Sequence, residues 1–218
     1  MTKIFNVFQS GLVYGAKTIT TKEGKKKRYA FVKHPIEGWC VFLRTCVFLH
    51  EIGKPFDPLR FIVVKRTGAY NRSLSWEPPK GQAERGDHEV FNTGTPENAL
   101  TILTGNAIRE TEEESHIKYV KNLKHTGFVF QSQETEYPDN TYFQYHIYRG
   151  FVEPSEIMRA FDMFAWIKGH PRAFARFKSD RREKDDIAWF TPTKTPLTRR
   201  WMPSILSLYI SSSKKGSA

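Results

Sequence analysis

The apolar positions of this chain fall into two continuous runs, several alternating or helical stretches, and polar breaks between them. Trp39 to His50 reads Trp-Cys-Val-Phe-Leu-Arg-Thr-Cys-Val-Phe-Leu-His, and Phe61-Ile-Val-Val64 repeats the theme after a turn-rich stretch from Gly53 to Pro58. Both runs predict buried strands. Trp76-Glu-Pro-Pro-Lys-Gly81 predicts a short extended piece ending in a turn, because each proline biases its predecessor away from helix. Residues 82–94 form a polar loop. A helix begins with Thr95 as cap, Pro96 in its first turn and Glu97 behind it, and Ala99, Ile102, Leu103, Ala107 and Ile108 keep helical spacing to about Ser115. Gly105 is the one weak point in that helix.

The second half alternates again. Thr126 to Gln131 and Thr141 to Val152 predict the two strands of a hairpin joined through Tyr-Pro-Asp-Asn at 137 to 140. Ser155 to Trp166 carries Ile157, Phe161, Phe164 and Ala165 at helical spacing, and Phe161, Phe164 and Trp166 are expected to bury that helix. Ile187 to Phe190 predicts another short strand, and Trp201 to Ile210 a closing helix after Pro192 and Pro196. There is no internal repeat and no long linker. The expected organisation is one domain over residues 1–210 and a flexible tail over 211–218.

Composition narrows the class of partner. Across 218 residues, 34 Lys and Arg against 23 Asp and Glu give a formal charge of +11, which favours a polyanion such as nucleic acid, nucleotides or another phosphate-rich compound. The cations are clustered at Lys25-Lys-Lys-Arg28 and between Lys168 and Lys184, where Arg172, Arg176, Arg181 and Arg182 surround Phe174 and Phe177. Those four arginines are the expected substrate contacts, with Phe174 and Phe177 as stacking rings. Cys40 and Cys46 are too few for a disulfide framework and lie on one face of one strand, so free thiols in a reducing compartment are expected. No stretch has the roughly 20 apolar residues of a membrane span, and the start lacks an apolar signal region, so a cytoplasmic protein is expected.

One short segment carries the chemistry. Arg109-Glu-Thr-Glu-Glu-Glu114 places Glu110, Glu113 and Glu114 at i, i+3 and i+4, so three carboxylates share one helical face. A solvated charged face would read the same way. The cluster is also a set of hard oxygen donors, whose mutual repulsion Mg²⁺ or Mn²⁺ would relieve. The histidines show no zinc-like spacing, and His146 sits in an aromatic strand as a packing residue.

Ala107 to Ile117, with the Pro79-Lys-Gly81 turn before it, resembles the Nudix box, Gly-x5-Glu-x7-Arg-Glu-U-x-Glu-Glu-x-Gly-U, where U is a bulky apolar residue. Trp76-Glu77 before that turn is most like the diphosphoinositol polyphosphate phosphohydrolases and the decapping enzymes of this superfamily. The match departs at three places. Asp87 stands where the family has Glu and lies 22 residues before Arg109 instead of eight; Thr111 replaces the apolar residue; His116 replaces the glycine.

The resemblance implies an α+β Nudix fold, a mixed β-sheet between helices with insertions, and a metal-dependent hydrolase of a diphosphate linkage. It implies Glu110, Glu113 and Glu114 as catalytic residues and metal ligands, the Gly81 carbonyl as a further ligand, and Lys80 at a substrate phosphate. Arg109 would hold a carboxylate, with Asp87 or Glu89 as its partner. A later acid, Glu134, Glu136, Asp185 or Asp186, would complete the site. Capped RNA is the leading substrate, with diphosphoinositol polyphosphates, dinucleoside polyphosphates and a non-catalytic RNA-binding role as alternatives.

Overall fold

The apolar run at Cys40–Glu51 becomes the central strand of the molecule, β3, in a computed structural model that describes residues 3–20, 26–70, 74–84, 96–133, 137–199 and 201–215. Two strands precede it, β1 (Val13–Thr20) and β2 (Lys26–Lys33), which pair antiparallel from Val13↔Lys33 to Thr20↔Lys26. Their polar sequence hides them from pattern reading. Lys26 and Arg28 are exposed there, so part of the first basic run lies along the margin of the sheet, while Lys25 falls outside the described residues.

The other strands are β4 (Ile62–Arg66), β5 (Trp76–Glu77), β6 (Lys80–Gln82), β7 (Lys121–Ser132), β8 (Thr141–Val152) and β9 (Lys184–Trp189). The larger sheet has the order β1-β2-β3-β8-β7, and β6 also pairs with β3. It is mixed: β3 and β8 run parallel from Cys40↔Thr141 to Glu51↔Val152, whereas β7 pairs antiparallel with β8. The smaller sheet, β5-β4-β9, is antiparallel.

Alternation along β3 divides the core. Val41, Leu43, Val47 and Leu49 face helices α1 (Pro96–Ser115) and α2 (Pro154–Gly169), meeting Ile102, Leu103, Ala107, Ile157 and Phe164. Cys46 and Phe48 point the other way, with Tyr145 and Ile147 from β8, onto Trp201, Ile205 and Tyr209. The α+β expectation of a mixed sheet between helices therefore holds. Cys40 and Cys46 are free thiols.

Helix α1 runs unbroken through Gly105. Its proposed cap Thr95 lies outside the described residues, as does most of the loop before it. Helix α2 buries Ile157 and Phe164, but Trp166 is 40% exposed and stacks on His170, so the sequence expectation fails for that ring. A further short helix, α3 (Pro171–Phe174), follows. The expected tail is helical as well. After a π-helical turn at Trp201–Ile205, α4 runs from Leu206 to Lys215, and the Ser212 and Ser213 hydroxyls donate to the Tyr209 carbonyl. Ser213 is buried, whereas Ser211 and Lys214 on the same helix are exposed. Among the described residues, no helix is long and apolar enough to cross a membrane.

Candidate active site

Helix α1 places its three carboxylates in its last two turns, where the helix dipole already disfavours negative charge and no basic residue stands in the last turn. The local sequence is thus unfavourable to helix stability, and distant residues compensate. Glu110, Glu113 and Glu114 line one cleft of about 140 Å³ together with Lys80, Gly81 and Arg109. The helix stops cleanly behind them: His116 adopts φ 58° in the position the glycine would take, and the Ser115 hydroxyl donates to the Thr111 carbonyl. Thr111 is buried, but its hydroxyl has no hydrogen-bond partner among the described residues, so the apolar-to-threonine departure leaves a small defect beneath the site.

Strand β6 forms the opposite wall. Gly81 lies across from Thr45 in β3, and a Cβ at Gly81 would sit 1.8 to 2.1 Å from the Glu110 carboxylate atoms. Only glycine admits that approach. Asn106 ties wall to helix, donating from Nδ2 to Thr45 Oγ1 at 2.7 Å and to the Gly81 carbonyl at 3.3 Å. Its Oδ1 accepts from Arg109 Nη2 at 2.7 Å.

Arg109 is the hub. Its guanidinium donates to Glu110 Oε1 and to Glu113 Oε2, both at 2.7 Å, and to the Gln82 carbonyl at 3.2 Å. It holds members of the cluster itself. The partners expected from sequence, Asp87 and Glu89, lie outside the described residues.

Glu114 is held from behind. Lys80 donates to it from its backbone N–H at 2.9 Å, and the Nζ atoms of Lys80 and Lys184 approach Glu114 Oε1 at 3.5 and 3.0 Å. Neither ammonium is aligned to hydrogen-bond that oxygen, which remains buried without a directed partner. Lys184 also donates to Glu77, and Glu77 accepts from Trp201 Nε1 at 3.2 Å and pairs with Lys80 at 3.3 Å. Both Glu77 and Lys184 are only 3% exposed, so each is tolerated because the other neutralises it. Burial alone would raise the Glu77 carboxyl, but Lys80 and Lys184 hold it well below the usual range. Lys80, in spite of its burial, is held well above the ordinary lysine range, chiefly by Glu114 and Glu77. Glu110 is driven the other way, upward, by burial first and then by Glu114 and Glu113, against Arg109 and Lys80. By count, the four carboxylates Glu77, Glu110, Glu113 and Glu114 face the three cations Lys80, Arg109 and Lys184, so negative charge is in excess around the cleft.

Other expected site residues lie elsewhere. Asp185 pairs with Lys65 at 3.2 Å and accepts from the Gly68 N–H; Asp186 pairs with Lys168 at 2.6 Å. Both line a different cavity, between β9 and the end of α2. The acids that reach the cleft are Asp180, Glu183 and Glu84, while Glu134 and Glu136 lie outside the described residues. Of the arginines, Arg172 and Arg176 are exposed on and just beyond α3, and Arg181 pairs with Glu112 at 2.8 Å. Arg182 is exposed in the 3-10 turn Ser179–Arg182, and none of the four lines the cleft. Phe174 is buried in the core and Phe177 packs against it, so the expected stacking rings are structural. His146 is fully buried as a packing residue, donating to or accepting from His125 at 3.1 Å. Sequence reasoning missed Glu77, Asn106, Lys184 and Glu183. Their only signals were an acid between Trp76 and two prolines, and two charges inside the long basic stretch.

As a cation site, the cleft offers hard oxygens of the right chemistry in Glu110, Glu113, Glu114 and the Gly81 carbonyl. Among the described residues, no three side chains are already gathered into a ligand cage, because Arg109 and the lysines occupy the carboxylates. The undirected Glu114 Oε1 and the excess negative charge fit a divalent cation, which would exchange for part of that pairing.

No protein-family model matches the chain, and no curated protein does. Among solved structures, the chain is similar to a NUDIX hydrolase from Nitrosomonas europaea, at 13% identity over 80% of this chain and 89% of that one, with a TM-score of 0.44. It is similar to a mutT/nudix family protein from Listeria innocua, at 17% identity over 81% and 96%, with a TM-score of 0.43. It is also similar to an Ap4A hydrolase from C. elegans, at 16% identity over 80% and 98%, with a TM-score of 0.39.

Proposed function

We propose that this chain is a divalent-cation-dependent pyrophosphohydrolase of the Nudix type, acting on a diphosphate bond within a nucleotide-linked substrate. The observation that carries the reading is the set of Glu110, Glu113 and Glu114 on one face of α1, closed by Gly81, with Arg109 fixing two of them. The motif resemblance and the geometry point to the same residues. Bound at these oxygens, Mg²⁺ or Mn²⁺ supplies neutralisation of the diphosphate charge and acidification of the attacking water.

The protein's own groups do the rest. Arg109 gathers Glu110 and Glu113 onto one side of the cleft, and part of that pairing would be exchanged when a cation binds. Lys80 borders the cleft with an ammonium kept charged by two carboxylates, and with Arg109 it is a cation of the cleft wall that a diphosphate would meet. Lys184 and Glu77 fix Glu114 from within the core. Glu84, Asp180 and Glu183 also line the cleft and are the further acids from which a base for the attacking water could come.

For the substrate, an mRNA cap joins a diphosphate bond to a polyanionic chain, and it is the finer form of this proposal because the net charge of +11 favours a long phosphate backbone. The test is a hydrolysis screen against capped RNA, dinucleoside polyphosphates, diphosphoinositol polyphosphate and nucleotide sugars, with Mg²⁺, with Mn²⁺ and with chelator. Cation-dependent release of phosphate products from a nucleotide-linked substrate is expected. RNA binding without turnover of any diphosphate would replace the enzyme reading with a non-catalytic one.

A further inference from the structure

Beyond helix α1, the acids lining the cleft are Glu84, just past β6, and Asp180 and Glu183, which belong to the 3-10 turn Ser179–Arg182 and the residue after it. That turn has little of its own to hold it in place. It is four residues long, none of them is buried, and Lys178 caps it without a side-chain hydrogen bond. A turn this short and this solvated takes its position from the elements it is tied to.

It is tied on both sides. Thr67, just past β4, donates from its hydroxyl to the Arg182 carbonyl and from its N–H to the Glu183 carbonyl at 2.9 Å. Across from it, Arg181 Nη2 donates to Glu112 Oε1 of α1 at 2.8 Å. Glu112 stands two residues from both Glu110 and Glu114, about 200° round the helix from each, and it does not line the cleft. Its carboxylate is thus spent on the returning chain and not on the cluster. The C-terminal end of α1 is already served by Arg159 of α2, which donates to the His116 carbonyl and pairs with Glu156. Arg181 is close enough to help depress the His116 ring, so it lies at that same helix end. With its two side chains 42% and 35% exposed, the Arg181–Glu112 pair adds little to the stability of the whole domain. Its effect is local, because no apolar anchor within the turn would replace it.

We propose that Arg181 is a positioning residue: paired with Glu112, it docks the 179–182 turn on α1 and so keeps Asp180 and Glu183 in the wall of the carboxylate cleft. The consequence for turnover rests on the hydrolase reading. The docking of the turn requires neither cation nor substrate.

The experiment joins amide hydrogen exchange of the full chain in chelator, followed at Thr67 and over 178–183, to steady-state kinetics on a dinucleoside polyphosphate with Mg²⁺ or Mn²⁺. Wild type is compared with Arg181→Gln, Glu112→Gln, the double variant and Arg181→Lys. Arg182→Gln, which removes an exposed charge from the same turn, is the control, and melting curves verify that each variant is folded. Exchange over the turn should quicken by about two- to fivefold in Arg181→Gln, the size of effect of a partly exposed ion pair, and kcat should fall by about the same factor. The double variant should be no worse than either single change, because each already breaks the same pair. Arg181→Lys should restore most of both effects, and Arg182→Gln should behave as wild type. Unchanged exchange in Arg181→Gln overturns the docking, and faster exchange with unchanged kcat overturns the positioning role. Losses that simply add in the double variant show the two residues acting apart and overturn it as well. If wild type hydrolyses no diphosphate, the hydrolase reading falls, and the docking stands or falls on the exchange alone.

Discussion

The carboxylate cleft and the basic stretch from Lys168 to Lys184 are both dense in charge, yet the fold treats them in opposite ways. In the cleft, Glu77, Glu110 and Glu114 are buried, and Lys80, Arg109 and Lys184 converge on them from three separate segments. In the basic stretch, Arg172, Arg176 and Arg182 are exposed, Arg181 makes a partly exposed pair with Glu112, and the aromatic residues between them turn inward. Of the basic residues in that stretch, Lys184, at its very end, is buried behind the cleft against Glu114, while the acids Asp180 and Glu183 line the cleft itself. The difference teaches that charge density along the chain says little about chemistry. What counts is whether the charges are taken out of water together, since an ion pair there is both strong and costly to break.

The largest effect expected from this contrast is on turnover. Glu113 is about a quarter exposed and is tied to Arg109, so Glu113→Gln should leave the melting temperature within a degree or two while cutting hydrolysis by about a hundredfold or more. Steady-state kinetics beside a melting curve checks both halves. Near-normal turnover in Glu113→Gln, with full dependence on a divalent cation, would remove this residue from the site.

Next in size is the stability of the buried pair. Lys184→Met leaves Glu77 and Glu114 with Lys80 as the remaining ammonium, and breaking such a pair typically costs about 3 kcal/mol, or roughly 6–12 °C in melting temperature for a domain of this size. The double variant Lys184→Met with Glu77→Leu should recover part of that loss, because both ends of one pair become apolar. A loss below 1 kcal/mol in the single variant would mean that the cleft charges are solvated like those of the basic stretch.

What was legible in the sequence divides along the same line. Runs such as Cys40–Glu51 and Thr141–Val152 announce themselves because a strand buried in the middle of a sheet must be apolar nearly throughout. The three-glutamate face was legible because helical spacing is a local property, and the motif resemblance marked His116 as the position of a glycine, where the structure has φ 58°. The β1–β2 hairpin was not, since strands at a sheet margin are free to be polar. Lys184 and Glu77 meet across 107 positions, and no local pattern announces that encounter. Asp185 and Asp186 drew attention as a pair of acids, but the ladder shifts register between Lys65 and Arg66, and both line another cavity while Lys184 lies behind Glu114. The tail misled for another reason: its serines satisfy the helix by bonding back to Tyr209.

A smaller effect separates buried charge from buried neutral rings. Burial holds His50, His116 and His125 down to about 4 and holds His146 well below the ordinary histidine value. Their unfolded values lie near 6.5, so between those limits the unfolded chain binds more protons than the folded one. Their contribution to stability is complete above pH 6.5 and declines as pH falls toward 4, by about 1 kcal/mol per ring at pH 5.5. Glu77, whose carboxyl is depressed, loses its contribution only below the ordinary carboxylate range. Melting temperature should therefore begin to fall just below pH 6.5, and the double change His125→Gln, His146→Gln should flatten that slope. A flat profile to pH 5 in wild type would place these rings in water.

The smallest effect belongs to the exposed arginines, where the contrast is sharpest. Arg172→Glu with Arg176→Glu changes two solvated side chains outside the cleft, so stability should move by no more than about 0.5 kcal/mol and turnover of a minimal dinucleoside polyphosphate should not change. If the basic surface holds the backbone of a long RNA, the double variant should bind that RNA more weakly, and the slope of log affinity against log salt should shrink by roughly 0.7 for each phosphate that is no longer neutralised. The surface alone would be altered, and KM for capped RNA would rise while kcat stayed constant. Should the same variant lower kcat on the minimal substrate, Arg172 or Arg176 would have to reach the cleft on substrate binding, and the division between buried chemistry and solvated charge would fail at that point.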